Sequence, residues 1–220
     1  AETPIILTSA PLESVGITDL TVMPEERYIL AGSKGREYRD LSGERKEYPL
    51  DPEDRDALSA LNERLGELLQ RPENLVFGEI GSSFQKKFGE STLAHQDIHG
   101  SVSEADSHRF VDEVRSVVEE LNDANRRFTI EDTGKDLEIS LESTKLGRGF
   151  DKGDGLRFLL DSLEQEPEGK EILICGDTAS DLPMIEKGVE LGASVTAVFV
   201  PDEEPLRRAV RETGARAHFV

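Results

Sequence analysis

Apolar positions along the chain fall into two rhythms. Pro4 to Ser9 and Arg27 to Ala31 are short apolar runs that predict strands, the second ending at Gly32-Ser33-Lys34-Gly35. After Asp51-Pro52, Leu58, Leu61, Leu65, Leu68 and Leu69 recur at helical spacing and predict a helix opening at the proline. Leu75 to Phe88 and Ser91 to Ile98 predict paired strands, with Phe88-Gly89-Glu90 at the turn. Ser103 and Glu104 open a second amphipathic helix carrying Phe110, Val114, Val117, Val118 and Leu121. Arg127 to Glu131 and Leu137 to Leu141 predict a second hairpin around Asp132-Thr133-Gly134-Lys135. Residues 50–146 therefore read as helix–hairpin–helix–hairpin, a pattern that builds an antiparallel sheet with two helices on one face.

The rhythm changes after Gly147-Arg148-Gly149. Gly153 to Leu163 predicts a helix with Leu156, Leu159, Leu160 and Leu163 on one face, and Ile172 to Cys175 a continuously apolar strand. Leu182 to Leu191 predicts a helix, Ser194 to Val200 a buried strand, Pro205 to Thr213 a helix and Ala217 to Val220 a last strand. Alternating helices and apolar strands predict an α/β core with a doubly wound parallel sheet. The two N-terminal strands join it, so the expected domains are a core of residues 1–49 and 147–220 and an inserted α+β module of residues 50–146. Beyond the doubled helix–hairpin unit there is no internal repeat.

Charge narrows the partners. Asp and Glu total 46 against 26 Lys and Arg, a formal charge of −20. Such a surface repels nucleic acid and anionic membranes, and an anionic substrate would need a locally basic pocket. The acidity fits either a salt-adapted source or an ordinary acidic protein. Cys175 is the single cysteine, so an internal disulfide is excluded; within an apolar strand it is expected to be a small buried hydrophobe. No apolar run reaches the roughly 18 residues that span a bilayer, and no basic-then-apolar leader opens the chain, so a cytoplasmic location is expected. The oligomeric state is not legible.

Candidate chemistry gathers near the expected strand ends. Gly176 lets the chain turn sharply after an apolar strand, Asp177 follows, and Asp181 comes four residues later. Two carboxylates near one point repel unless a cation or proton bridges them, and hard oxygen donors suit Mg²⁺. The purely structural alternative makes Asp181 the N-cap of the helix at Leu182-Pro183 and Asp177 a turn former. Lys152 precedes Gly153 at a helix start, where free N–H groups and a full positive charge suit a phosphate oxygen, although most lysines are simply solvated. Thr8 and Ser9 end the first strand, where a hydroxyl can bind phosphate or cap a following helix.

In order and spacing these residues resemble the haloacid dehalogenase (HAD) superfamily of phosphatases. Its second motif is similar to Ile5-Ile6-Leu7-Thr8, its third to Lys152, and its fourth, Gly-Asp-x-x-x-Asp, to Gly176-Asp177 through Asp181. The module at 50–146 resembles the αββαββ cap of this superfamily. Within it the chain looks most like the trehalose-6-phosphate phosphatase branch and its sugar-phosphatase relatives. Leu30-Ala31-Gly32-Ser33-Lys34-Gly35-Arg36-Glu37, Lys87 followed by His95, and Leu137-Glu138-Ile139 carry that likeness. The resemblance implies Mg²⁺ held by Asp177 and Asp181, phosphate oriented by Thr8 and Lys152, and a small-molecule sugar phosphate met by Lys86, Lys87, His95 and Glu138. Those four cap residues read equally as a charged sheet edge.

The chain departs from the branch at Lys34, where the branch has His or Asn, and at Gln85-Lys86-Lys87 and His95-Gln96-Asp97, where it has Glu-x-Lys and His-Tyr-Arg. The largest departure is the nucleophile. The resemblance implies an Asp-x-Asp at the end of a first strand, and no aspartate precedes Thr8. Three readings follow as expectations: the chain is part of a sugar-phosphate phosphatase whose nucleophile strand lies outside it, it is a non-catalytic relative that binds a sugar phosphate or a partner protein, or it is an acidic α/β domain with no ligand.

Overall fold

The structure is a computed structural model that describes residues 3–12, 27–122, 128–142, 148–200 and 203–220. Tertiary contacts divide the chain into two compact units, one of Ala1–Ser9, Pro24–Lys46 and Asp151–Val220, the other of Ala10–Met23 and Glu47–Phe150.

The first unit contains two sheets. In one, β1 (Ile5–Leu7) pairs in parallel with β2 (Ile29–Gly32), β2 pairs antiparallel with β3 (Glu37–Arg39), and β4 (Arg45–Glu47) lies beyond β3. Sequence reading missed β3 and β4. They are short and charged, and their pairing rests on the Asp40–Glu44 turn, where the Asp40 carboxylate accepts the Ser42 and Glu44 N–H groups at 2.9 and 3.1 Å. The helix α3 (Lys152–Ser162) packs Leu159 against Ile29, Ala31 and Tyr38 of this sheet.

The other sheet has the order β11-β10-β9, all parallel, from β9 (Glu171–Gly176), β10 (Ser194–Phe199) and β11 (Arg216–Phe219). Side chains alternate across a strand. Ile174, Val195, Ala197 and Phe199 therefore share one face, and onto it pack Leu156 and Leu160 of α3, Met184 and Ile185 of α4 (Leu182–Glu190) and Val210 of α5 (Glu204–Glu212). A doubly wound sheet carries helices on both faces. Here all three helices cover one face, because right-handed crossovers that step one way across a sheet stay on one side. On the opposite face Leu173 is 65% exposed. Cys175 shares that face and is exposed, which corrects its expected burial. The strand's apolar run promised two covered faces, and the described residues cover one.

The second unit forms one sheet of order β5-β6-β8-β7, from β5 (Phe84–Lys87), β6 (Glu90–Ala94), β7 (Phe128–Asp132) and β8 (Asp136–Leu141), antiparallel throughout. The helices α1 (Pro52–Leu69) and α2 (Glu104–Leu121) contribute Leu61, Leu65, Phe110 and Val114 to one core with Leu93, Leu137 and Ile139 of the sheet. Ser103 caps α2 by accepting the Asp106 N–H. The strand expected from Leu75 begins only at Phe84; Pro72–Gly78 is a 3-10 turn instead. The buried Asn74 holds it by donating to Leu68 O and to Glu113, and Phe77 stacks on Phe110 at 3.9 Å. These contacts override the β-propensity of Leu75-Val76-Phe77.

Candidate functional site

The carboxyl ends of β1 and β9, together with the start of α3, place the candidate residues of the first unit. At Gly176 an added Cβ would lie 2.7 Å from Asp181 Oδ2 and from Phe199 Cζ, so glycine is what lets the following loop fold back. In that loop Asp181 Oδ2 accepts the N–H groups of Asp177 and Thr178 at 3.1 and 3.2 Å. Its other oxygen accepts Lys152 Nζ at 2.6 Å. Both Lys152 and Asp181 are buried. Burial is the largest influence on Asp181 and pushes its pKa up, but the Lys152 hydrogen bond and charge and the two backbone N–H groups outweigh it and hold the carboxyl below its ordinary 3.8.

Asp181 stands at the N-cap position of α4, yet its side chain makes no cap hydrogen bond there. Its carboxylate turns back to the loop and to Lys152, and so holds the two together. The Asp177 side chain is exposed, and among the described residues its carboxylate accepts no hydrogen bond.

The first turn of α3 is wedged between two backbones. A Cβ on Gly153 would come within 2.4 Å of Pro183 O, and one on Gly155 within 2.0 Å of Lys34 O. The two glycines therefore permit the approach that brings Lys152 to Asp181 on one side and the Ser33–Gly35 turn to α3 on the other. That turn is tied to β1, because Thr8 O accepts the Lys34 N–H at 2.9 Å. Thr8, Lys152, Asp177 and Asp181 thus belong to one corner of one unit. Sequence reading had Lys34 within the Leu30–Glu37 stretch of the family likeness and as a departure from it, and missed the role of Gly155. The Gly-x-Gly spacing after Lys152 was the available signal.

The four cap candidates separate. Registry puts Lys87 opposite Glu90, and Glu90 opposite Ser140; Thr92 lies opposite both Gln85 and Glu138. All six side chains share the sheet face turned away from α1 and α2. On it Lys87 Nζ meets Glu90 at 3.1 Å and Ser140 Oγ donates to Glu90 at 3.2 Å. Lys86 and His95 lie on the helix side. Lys86 sits 5.4 Å over the Phe84 ring. The buried His95 bridges Ser107 Oγ at 2.8 Å and Asp132 at 3.0 Å, so its ring nitrogens are engaged inside the module. The structure thus groups Lys87 with Glu138 and sets Lys86 and His95 apart from them.

Asp177 offers hard carboxylate oxygens with no hydrogen-bond partner among the described residues, which fits Mg²⁺. Among the described residues no group of three or more His, Cys, Asp or Glu could hold a metal ion. A Mg²⁺ at Asp177 would complete its shell with water, substrate oxygens and further carboxylates, as this ion commonly does.

Residues 1–220 match the family model "Trehalose-6-phosphate phosphatase, C-terminal". The chain is 34% identical over 209 residues to a Caenorhabditis elegans protein named trehalose-phosphatase, covering 93% of this chain and 47% of that one. It is 32% identical to a Brugia malayi trehalose-phosphatase, covering 94% of this chain and 43% of that one. With a C. elegans alpha,alpha-trehalose-phosphate synthase [UDP-forming] 2 the identity is 31%, covering 96% of this chain and 17% of the relative. The chain therefore spans less than half the length of these relatives.

Proposed function

The chain belongs to the trehalose-6-phosphate phosphatase C-terminal family, and from that premise we propose that its first unit is the supporting half of a Mg²⁺-dependent phosphatase site acting on a sugar phosphate of the trehalose 6-phosphate type. The observation that carries this reading is the division of labour between the two aspartates. Asp181 is committed to Lys152 and the loop amides, which leaves the exposed Asp177 carboxylate for a cation.

In this reading Lys152 and the Thr8 hydroxyl orient and neutralise phosphoryl oxygens, and Asp181 holds the Lys152 ammonium in place. Asp177 would hold Mg²⁺, which when bound offsets phosphoryl charge. Electrostatic stabilisation of this kind needs donors fixed beforehand, and the buried Lys152–Asp181 pair provides that rigidity. Separately, for the second unit we propose Lys87 and Glu138, which share the polar face of its sheet, as sugar-binding residues.

The attacking carboxylate would come from a further strand. Among the described residues β1 pairs only with β2 and β9 only with β10, so each has an open edge in the same unit. Leu7 of β1 packs against the same cluster as Ile174 of β9. Parallel sheets are normally covered on both faces, and the exposed Leu173 and Cys175 mark surface suited to such a segment. An aspartate on it would attack phosphorus and form an aspartyl-phosphate as the sugar oxygen leaves and takes a proton; water would then release phosphate.

The test is phosphate release from trehalose 6-phosphate by a protein that includes the further strand. Asp177→Asn is expected to cost at least about 100-fold in Mg²⁺-dependent turnover, in line with loss of a principal charge-stabilising group. Near-wild-type turnover would refute the assignment. A protein that binds trehalose 6-phosphate but never turns it over would leave the same residues as a binding site.

A further inference from the structure

We propose that Glu90 is a positioning residue that holds the Lys87 ammonium ready for the uncharged, hydroxyl-bearing part of the substrate. The proposal rests on the reading above of the second unit's polar sheet face as sugar-binding. A two-residue turn, Phe88-Gly89, joins β5 to β6, with Gly89 in the left-handed region at φ 86°. Lys87 and Glu90 therefore stand directly opposite each other. Lys87 Nζ donates to Glu90 Oε1 at 3.1 Å, and Glu90 Oε2 accepts Ser140 Oγ of β8 at 3.2 Å. Both members of the ion pair are buried, with 4% of the Lys87 side chain and 1% of the Glu90 side chain exposed. Through Glu90 the ammonium is thus fixed against two strands of the sheet.

Two groups on this face have hydrogen-bonding capacity left over. An ammonium has three N–H donors, and among the described residues Lys87 uses one of them, on Glu90. Two positions along β6, Thr92 Oγ is buried and has no hydrogen-bond partner among the described residues. Buried polar groups are nearly always hydrogen-bonded, so both call for a partner brought by a ligand or water. A buried ion pair also gains little stability over apolar residues of similar size, so folding alone gives the pair no purpose. Charge selects the ligand. By registry and alternation the strands of this face carry Glu90, Glu131, Asp136 and Glu138 against the single ammonium of Lys87. Such a face repels a phosphate. Sugar hydroxyls suit it, because each can donate to a carboxylate and accept from Lys87.

Calorimetric titration of the intact protein with trehalose 6-phosphate and with inorganic phosphate, in Mg²⁺, tests this. Glu90→Gln is expected to raise the Kd for trehalose 6-phosphate about tenfold, the size of one charge-assisted hydrogen bond, and to leave the Kd for inorganic phosphate unchanged. Lys87→Met is expected to do the same. The double variant Lys87→Met/Glu90→Gln should bind no more weakly than Lys87→Met alone, because Glu90 acts through Lys87. Glu90→Asp keeps the charge and should bind trehalose 6-phosphate more tightly than Glu90→Gln. A purely structural Glu90 would lower the Tm of Glu90→Gln and leave both affinities of the folded protein unchanged, which overturns the proposal. So do additive losses in the double variant, or an equal loss of affinity for inorganic phosphate. Unchanged trehalose 6-phosphate affinity in Lys87→Met, or no binding by the wild-type protein, would instead overturn the sugar-face reading on which this one stands.

Discussion

The two units of this chain bury their apolar residues in different ways. In the second unit a single cluster joins both helices to the apolar inward positions of one antiparallel sheet, and the sheet's other face carries polar residues such as Lys87, Glu90, Thr92 and Glu138. An antiparallel sheet with one apolar and one polar face is complete once helices cover the first. In the first unit the core is split between two clusters that share α3, and apolar Leu173 and Cys175 lie on a face that no described residue covers. A parallel sheet expects cover on both sides. The difference separates a module covered on its apolar face from one with an apolar face open among the described residues, and the candidate chemistry lies at the strand ends of the latter.

The largest expected effects test whether the units melt separately. Phe110→Ala removes a ring stacked on Phe77 in the second core and is expected to cost about 3–5 kcal/mol. Hydrogen exchange should show the loss in the second unit, with the protection of β9 and β10 unchanged; a loss spread evenly over both would erase the comparison. Lys152→Met should do the converse, costing about 3–5 kcal/mol in the first unit by leaving the Asp181 carboxylate buried without its cation. Asp181 adds a pH signature. Its folded pKa is depressed, so its contribution is complete above the ordinary carboxylate value of 3.8 and is lost as pH falls through the lower folded value. Lys152→Met should therefore move the acid unfolding midpoint of the first unit upward, read by circular dichroism against pH. An unmoved midpoint would mean that the pair does not hold the loop.

Gly155→Ala is a smaller wedge. Its Cβ would meet the Lys34 carbonyl, a backbone atom unable to rotate away, and a cost of about 1–3 kcal/mol is expected in denaturant titrations, confined to the first unit. The smallest effect concerns Tyr38, whose ring is fully buried and whose hydroxyl has no hydrogen-bond partner among the described residues. Tyr38→Phe should leave stability unchanged or raise it by about 1 kcal/mol, since it removes a desolvated hydroxyl that gains nothing in return. A clear loss would show that this hydroxyl has a partner in solution.

How legible each region was follows from the kind of force that decides it. The helices α1 and α2 announced themselves through Leu58, Leu61, Leu65 and Phe110, Val114, because helical spacing of large apolar residues is a local signal with a local consequence. Ser103, read as opening α2, likewise caps in place. Asp177 and Asp181 were visible as a pair from the Gly-Asp spacing, but their separate tasks were not. Which carboxylate is consumed depends on a lysine 29 residues away in sequence, brought in by two glycines of α3. The surroundings of His95 were equally hidden from the sequence. The family likeness implied a sugar contact there, with a charged sheet edge as the equal alternative, and the structure places His95 on the helix side against Ser107 and Asp132.

From sequence alone came the elements with strong periodicity, the α/β and α+β character of the two segments, and the residue types that suit phosphate and a hard cation. These depend on short-range pattern and side-chain chemistry. Only the tertiary structure decided that Asp181 serves Lys152 and the loop while Asp177 stays exposed, and that Lys87 and Glu138 share a face which Lys86 and His95 do not. It also showed that, among the described residues, β9 keeps one apolar face uncovered and that Lys34 sits in a left-handed turn whose N–H is held by Thr8 O. Those outcomes depend on register, close backbone approach and the sharing of one buried charge, which no local window of residues contains.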